Sequence, residues 1–190
     1  ANKFRKSKSF NFYLNARTCL KNILLTISEN KGKILIPDYL CGDGSIDPIE
    51  KANWQYDTYK IEKNYKVNYS QFRSLIDKEL KAILVINYFG IYDNLSLISY
   101  LKLKNPKINI IYDTVQNPWF FLDINNNKFN YNLSKDIDYA FTSFNKSFPV
   151  PDGAIVYNKN KKMLKPKLAL KSYDEKWIKT ANKKFHFLNK

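Results

Sequence analysis

The spacing of apolar positions changes repeatedly along this chain. Between 16 and 29, Leu20, Ile23, Leu24 and Ile27 recur at intervals of three and four, the spacing of one helix face, and Asn30-Lys31-Gly32 stops that helix. A short apolar strand is predicted at 33–37. A helix over 42–54 follows, entered through a glycine-containing loop, with Pro48 tolerable only near its first turn. The stretch 55–61 reads as a second strand, and Asn68-Tyr69-Ser70 opens a helix running to about Leu80. The clearest buried strand is 82–88, where apolar residues run almost unbroken. A helix over 94–104 is ended by Pro106, and 108–112 is another buried strand. The last two strands, 138–144 and 154–157, flank a loop with Pro149, Pro151 and Gly153, so they can form a hairpin. Asn125 to Asn127 reads as a surface loop, and no internal repeat is present.

Strands alternating with helices predict an α/β fold: a mostly parallel sheet with helices on both faces and one late antiparallel strand. Hydrophobic residues at 44% and aromatics at 16% agree with a globular core and exclude general disorder. The longest apolar runs, such as 83–86, are far too short to cross a bilayer, and no signal segment opens the chain. Cys19 and Cys41 alone build neither a disulfide framework nor a four-cysteine metal site. The expectation is a soluble, cytoplasmic protein.

The net charge of +15 raises the question of nucleic acid, and its distribution answers it. Residues 1–28 hold six basic residues and no acid, residues 159–190 carry +9, and the stretch between balances fifteen basic against fifteen acidic residues. A phosphate-tracking surface built into the fold would place its excess within that neutral middle. Nucleic acid is therefore not the expected partner. Polyanion binding by the basic ends of a non-catalytic protein stands as the second reading.

Ligands of open α/β sheets bind beyond the carboxyl ends of the strands. Asp113 follows Ile110-Ile111-Tyr112, where an acid ending a buried strand needs a partner. Gln116 lies three residues on. Lys146 follows the strand ending at Phe144, and Asn15-Ala16-Arg17-Thr18 starts the first helix, where backbone N–H groups favour phosphate.

Five segments in order then form a recognisable pattern: Tyr13-Leu14-Asn15-Ala16-Arg17-Thr18-Cys19, Ile34-Leu35-Ile36-Pro37-Asp38-Tyr39-Leu40-Cys41, Asn87-Tyr88-Phe89-Gly90, Ile111-Tyr112-Asp113-Thr114-Val115-Gln116, and Thr142-Ser143-Phe144-Asn145-Lys146 with Pro151-Asp152-Gly153. The pattern covers about residues 12–158. It resembles the landmarks of the DegT/StrS-type fold-type-I pyridoxal-phosphate enzymes, the sugar aminotransferases. The resemblance implies pyridoxal phosphate as cofactor and a keto sugar, nucleotide-linked, as substrate. It also implies an amino donor such as glutamate and a homodimer in the full-length protein, in amino-sugar or surface-polysaccharide biosynthesis.

The same resemblance assigns roles. Asp113 would face the pyridine nitrogen and keep it protonated, its alternative being a helix N-cap. Lys146 would carry the cofactor covalently and then act as the base, its alternative being an ordinary exposed lysine. Gln116 would contact the ring or its phenolic oxygen, or else serve as a loop hydrogen-bonder. Ala16, Arg17 and Ser143 would cradle the phosphate, with a surface role open for Arg17. Cys41 stands where the family has an aromatic residue and cannot stack as one; Tyr39 is the available substitute. Ala16 replaces the usual glycine, and Asn87 a frequent histidine. Some relatives without the lysine are dehydratases, so Lys146 bears on the reaction type. Residues 1–158 are thus expected to be the cofactor-binding large domain. Residues 159–190, with Tyr173, Trp177, Phe185 and the single histidine His186, are expected to form a basic helical linker toward an absent C-terminal domain, leaving this chain alone inactive.

No G-x-G-x-x-G follows the first strand, and no Walker-type G-x-x-x-x-G-K, H-E-x-x-H or G-x-S-x-G occurs. Nucleotide-cofactor and hydrolase readings lose support accordingly.

Overall fold

The computed structural model describes residues 10–29, 31–92, 94–123, 128–129, 135–150 and 152–160. Seven strands form one sheet: β1 (Phe10–Tyr13), β2 (Lys33–Pro37), β3 (Gln55–Tyr59), β4 (Leu80–Ile86), β5 (Asn109–Asp113), β8 (Tyr139–Ser143) and β9 (Ala154–Asn158). Two further strands, β6 (Leu122–Asp123) and β7 (Lys128–Phe129), pair only with each other. The large sheet has the order β1-β9-β8-β5-β4-β2-β3. Neighbours from β3 to β8 run parallel, while β9 is antiparallel to both β8 and β1. One late antiparallel strand in a parallel sheet is therefore what the sequence predicted.

The continuous apolar runs of the central strands are sorted by the pleat, since successive side chains face opposite ways. Leu35, Ile83, Val85, Ile110, Tyr112 and Ala140 lie in one buried cluster with Phe72 of α3 (Tyr69–Ser74) and Leu97, Ile98 and Leu101 of α4 (Leu95–Lys104). Ile34, Ile36, Leu84, Ile86, Ile111 and Phe141 lie in the other, against Leu20, Ile23 and Leu24 of α1 (Ala16–Ile27) and Ile49 of α2 (Gly42–Lys51). Both faces are thus covered, as alternation of strands and helices implies.

Several boundaries differ for local reasons. The helix predicted to run to Leu80 ends at Ser74, because Asp77 Oδ1 accepts from the N–H groups of Glu79 (2.8 Å) and Leu80 (3.0 Å) and turns the chain into β4. The strand expected over 55–61 stops at Tyr59, whose buried hydroxyl donates to the Leu84 carbonyl over 2.9 Å. Pro48 lies inside α2 and not near its first turn; its ring is buried, and its carbonyl still accepts from Ala52 N over 3.1 Å. The edge strand β1 has no counterpart in the predicted elements. Phe10 and Tyr13 are buried there while Phe12 is exposed. Pro151 and the proposed linker helix, with Tyr173, Trp177, Phe185 and His186, lie outside the described residues. Among the described residues no helix is long and apolar enough to cross a membrane.

Candidate functional site

The carboxyl ends of the parallel strands and the start of α1 converge on one side of the sheet. The register pairs Ile86 with Asp113 and Asp113 with Phe141, so β4 and β5 end level while β8 runs two residues further, to Ser143. Because β9 runs back, Tyr13 and Ser143 are both partners of Ala154, which brings the entrance to α1 beside the loop after β8. A cleft of about 840 Å³ opens there. This size suits a small-molecule site.

All seven residues expected from the sequence, Ala16, Arg17, Cys41, Asp113, Gln116, Ser143 and Lys146, line this single cleft. Sequence reading did not select Asp43, Ser45, Asn145 and Asp152 as site residues, although they line it as well. Asp43 and Ser45 carry no sequence signal beyond their place at the start of α2, whereas Asn145 and Asp152 fall within the landmark segments, beside the lysine and Gly153.

Asp113 ends β5 and is half-buried. Its Oδ1 accepts from Val115 N over 2.8 Å, an Asx-type turn and not a helix cap. Burial pushes its carboxyl up to about 7, against the opposing pull of the Val115 N–H. No ion pair among the described residues reaches it. Its backbone is fixed on both sides. Asn87 N donates to the Asp113 carbonyl (2.9 Å), Thr114 N and Oγ1 donate to the Phe141 carbonyl (2.9 and 3.0 Å), and Thr142 Oγ1 donates to the Thr114 carbonyl (2.9 Å). Such a position holds an acid rigidly in a place where its charge is costly.

At the start of α1, Asn15 Oδ1 caps the helix by accepting from Thr18 N and Thr18 Oγ1, each at 3.0 Å. The first N–H groups of a helix have no intrahelical partner, and Ala16 and Arg17, which carry two of them, line the cleft. The region carries the partial positive charge of a 12-residue helix, with the exposed Arg17 beside it.

Lys146 ends a single 3-10 turn, Phe144–Lys146, and is exposed into the cleft. The loop that carries it is stapled: Phe144 N donates to the Gly153 carbonyl (2.8 Å), and Gly153 N donates to the Leu14 carbonyl (2.7 Å). Ser143 is buried, and its hydroxyl donates to Asn145 Oδ1 over 2.9 Å. It therefore reaches an anion only by turning from Asn145. Gln116 is exposed, and its Oε1 accepts from Phe89 N over 3.1 Å, which fulfils the loop-bonding alternative and leaves its amide nitrogen for the cleft.

Cys41 is exposed at the start of α2, where its carbonyl accepts from Ser45 N (2.9 Å) and Gly44 N (3.1 Å). Tyr39, half-exposed in the same wall, packs against Tyr88 at 5.7 Å and Tyr65 at 6.1 Å between ring centroids. Asn87, standing where the resembled family often has histidine, is buried and donates to Tyr112 Oη over 3.1 Å. Tyr65 and Phe89 adopt φ of 64° and 56°, the left-handed region, which costs a bulky residue about 1–3 kcal/mol.

No family model matches the chain, and no curated protein matches it in sequence. Solved structures do match the fold. Bna3p, a putative kynurenine aminotransferase from Saccharomyces cerevisiae, superposes with a TM-score of 0.65 at 16% identity, covering 95% of this chain and 44% of that one. NtdA from Bacillus subtilis, with bound cofactor PMP, gives 0.63 at 15% identity, covering 80% of this chain and 33% of that one. A DegT DnrJ EryC1 StrS aminotransferase from Brucella abortus gives 0.60 at 17%, covering 78% and 41%. The fold is that of the large domain of fold-type-I pyridoxal-phosphate enzymes. The chain spans less than half the length of each of these three structures.

Proposed function

We propose that this chain is the cofactor-binding large domain of a pyridoxal-phosphate-dependent aminotransferase acting on a keto sugar, nucleotide-linked, with an amino donor such as glutamate. One observation carries the reading. Asp113 is an acid held rigidly at the end of a central strand, raised by burial to about 7, in a cleft that the start of α1 also lines. A ligand that is cationic at one end and an anion at the other satisfies both, and pyridoxal phosphate, with its ring nitrogen and phosphate, has that polarity.

The donor set fits each part of the group. Asp113 takes the ring nitrogen and holds a proton there. The N–H groups of Ala16 and Arg17, with the Arg17 guanidinium, take the phosphate. The Gln116 amide nitrogen serves the ring or its phenolic oxygen. When bound, the cofactor supplies an electron-accepting ring that stabilises negative charge on the substrate carbon. Lys146 would hold the cofactor covalently through Nζ and, when free, would act as the base that moves a proton. The staple through Gly153 and Leu14 fixes the loop whose Lys146 lines the cleft.

Support for the sugar comes from the ordered sequence landmarks. The dimer, and assignment to amino-sugar or surface-polysaccharide biosynthesis, rest on the resemblance. Titration with pyridoxal phosphate tests the reading. Saturable binding, seen as a visible absorbance change and weakened at least tenfold by Asp113→Ala, is expected. No saturable binding by the wild-type chain would overturn it.

A further inference from the structure

A second cleft, of about 650 Å³, opens at the opposite end of the sheet, where β4 begins at Leu80 and β5 at Asn109. A strand rises about 3.3 Å per residue, so the length of β4 sets this cleft about 20 Å from the one beyond Ile86 and Asp113. The two share no lining residue.

The lining of the second cleft is cationic. Lys78, Lys81, Lys104 and Lys107 stand there against one acid, Asp77. That acid is already engaged: its Oδ2 lies 2.8 Å from Lys33 Nζ, and its Oδ1 accepts from the N–H groups of Glu79 and Leu80. Lys81 is engaged as well, donating to the Lys31 carbonyl (2.9 Å) and to Ser28 Oγ (3.2 Å). Lys78, Lys104 and Lys107 are exposed and enter no ion pair among the described residues. They gather a local positive excess within a stretch, 29–158, that is neutral as a whole. Like charges brought together repel, and a bound anion relieves that repulsion.

Much of the remaining lining is apolar. Leu80 and Ile108 are buried there, and Ile27 and Ile76 are partly buried. The turn carrying Lys107 is held in place, since Asn105 Oδ1 accepts from Lys107 N (3.2 Å) and Lys102 Nζ donates to the Ile108 carbonyl (2.6 Å). Asn109 Nδ2 donates to the Lys81 carbonyl (2.9 Å), joining that turn to β4. The volume suits one small molecule and not a tracked polymer.

We propose that this cleft binds a small phosphate monoester with an apolar or aromatic body, the phosphate held by Lys78, Lys104 and Lys107 and the body lying against Ile27, Ile76 and Ile108. Ammonium groups take phosphate as point charges, and the apolar lining favours a ligand that brings more than the charge. The inference is independent of the cofactor reading.

Adenosine 5′-monophosphate is the probe, with binding to the full chain followed by calorimetry. Saturable binding is expected, weakened at least tenfold in Lys104→Gln/Lys107→Gln and in the same direction by Lys78→Gln, which lies on a different connection. Lys60→Gln/Lys63→Gln, which removes the same charge from exposed lysines outside the cleft, is expected to bind as the wild type does. Inorganic phosphate and adenosine, each lacking one half of the probe, are expected to bind at least tenfold more weakly than the monophosphate. Absence of saturable binding, equal weakening by the two double variants, or loss through Arg17→Gln instead overturns the site. Either half binding as tightly as the whole overturns the ligand class.

Discussion

Tyr88 donates its hydroxyl hydrogen to the backbone carbonyl of Tyr39 over 2.7 Å, tying the loop after β4 to the loop after β2 across the cleft wall. Burial holds the Tyr88 hydroxyl far above its ordinary value, reinforced by the negative charge of Asp113 and Asp38, so it remains a donor at every working pH. Tyr88→Phe removes the bond while keeping the ring. A loss of about 1 kcal/mol in denaturant-unfolding stability is expected, together with weaker cofactor binding. Unchanged values for both would mean that the bond does not brace the wall.

Asp113 makes stability fall with rising pH. Its carboxyl is raised to about 7 in the folded chain, chiefly by burial, against about 4 in an unfolded one. Between those values the folded state binds more protons, so this group's contribution is full below about pH 4, declines through about pH 7 and is flat above. Asp47 and Asp77, lowered through hydrogen bonds to Lys51 and Lys33, act in the opposite direction, but every variant shares them. Asp113→Asn therefore stabilises the cofactor-free chain at pH 8 relative to wild type and leaves it little changed at pH 4. A stability difference independent of pH, measured by unfolding at both values, contradicts the burial account.

Two glycines should respond oppositely to alanine. Gly90 has φ of +74°, and a Cβ there would lie 3.1 Å from Asn117 Nδ2, beside the loop that carries Phe89. Gly90→Ala is expected to destabilise the chain by about 1 kcal/mol or more. Gly42 lies in the first turn of α2, and an alanine methyl at that position would meet no atom within 4 Å, so Gly42→Ala is expected to be neutral or slightly stabilising. Thermal unfolding of the pair decides; equal shifts would mean that backbone conformation at Gly90 does not matter.

The sequence revealed the central sheet because Ala82 to Ile86 and Ile110 to Tyr112 are apolar on both faces, a pattern only a covered parallel strand needs. It revealed the cleft residues because residues at strand ends are few and the ordered landmarks marked them. β1 was not legible: four residues beside a basic stretch gain their strand conformation from pairing with β9, and nothing local demands it. The early end of α3 depends on one side chain, Asp77, bonding forward to two N–H groups. Tyr39 was legible as a substitute for Cys41, but its packing on Tyr65 and Tyr88 was not, since the three lie on separate connections.

Charge at the ends of the chain leads to a separate expectation. Residues 159–190 carry +9 and residues 29–158 none. Any binding to heparin or DNA should mostly disappear when 159–190 are removed, and should weaken steeply with added salt. Salt-resistant, sequence-selective binding by the remainder would favour a nucleic-acid function instead.

The most direct test is chemical mapping of the cofactor. After incubation with pyridoxal phosphate, borohydride reduction and peptide mapping, the account predicts the pyridoxyl group on Lys146, and its absence from Lys146→Ala, which still retains some reversible binding through Asp113 and the start of α1. A pyridoxyl group on another lysine, or none at saturating cofactor, would contradict it.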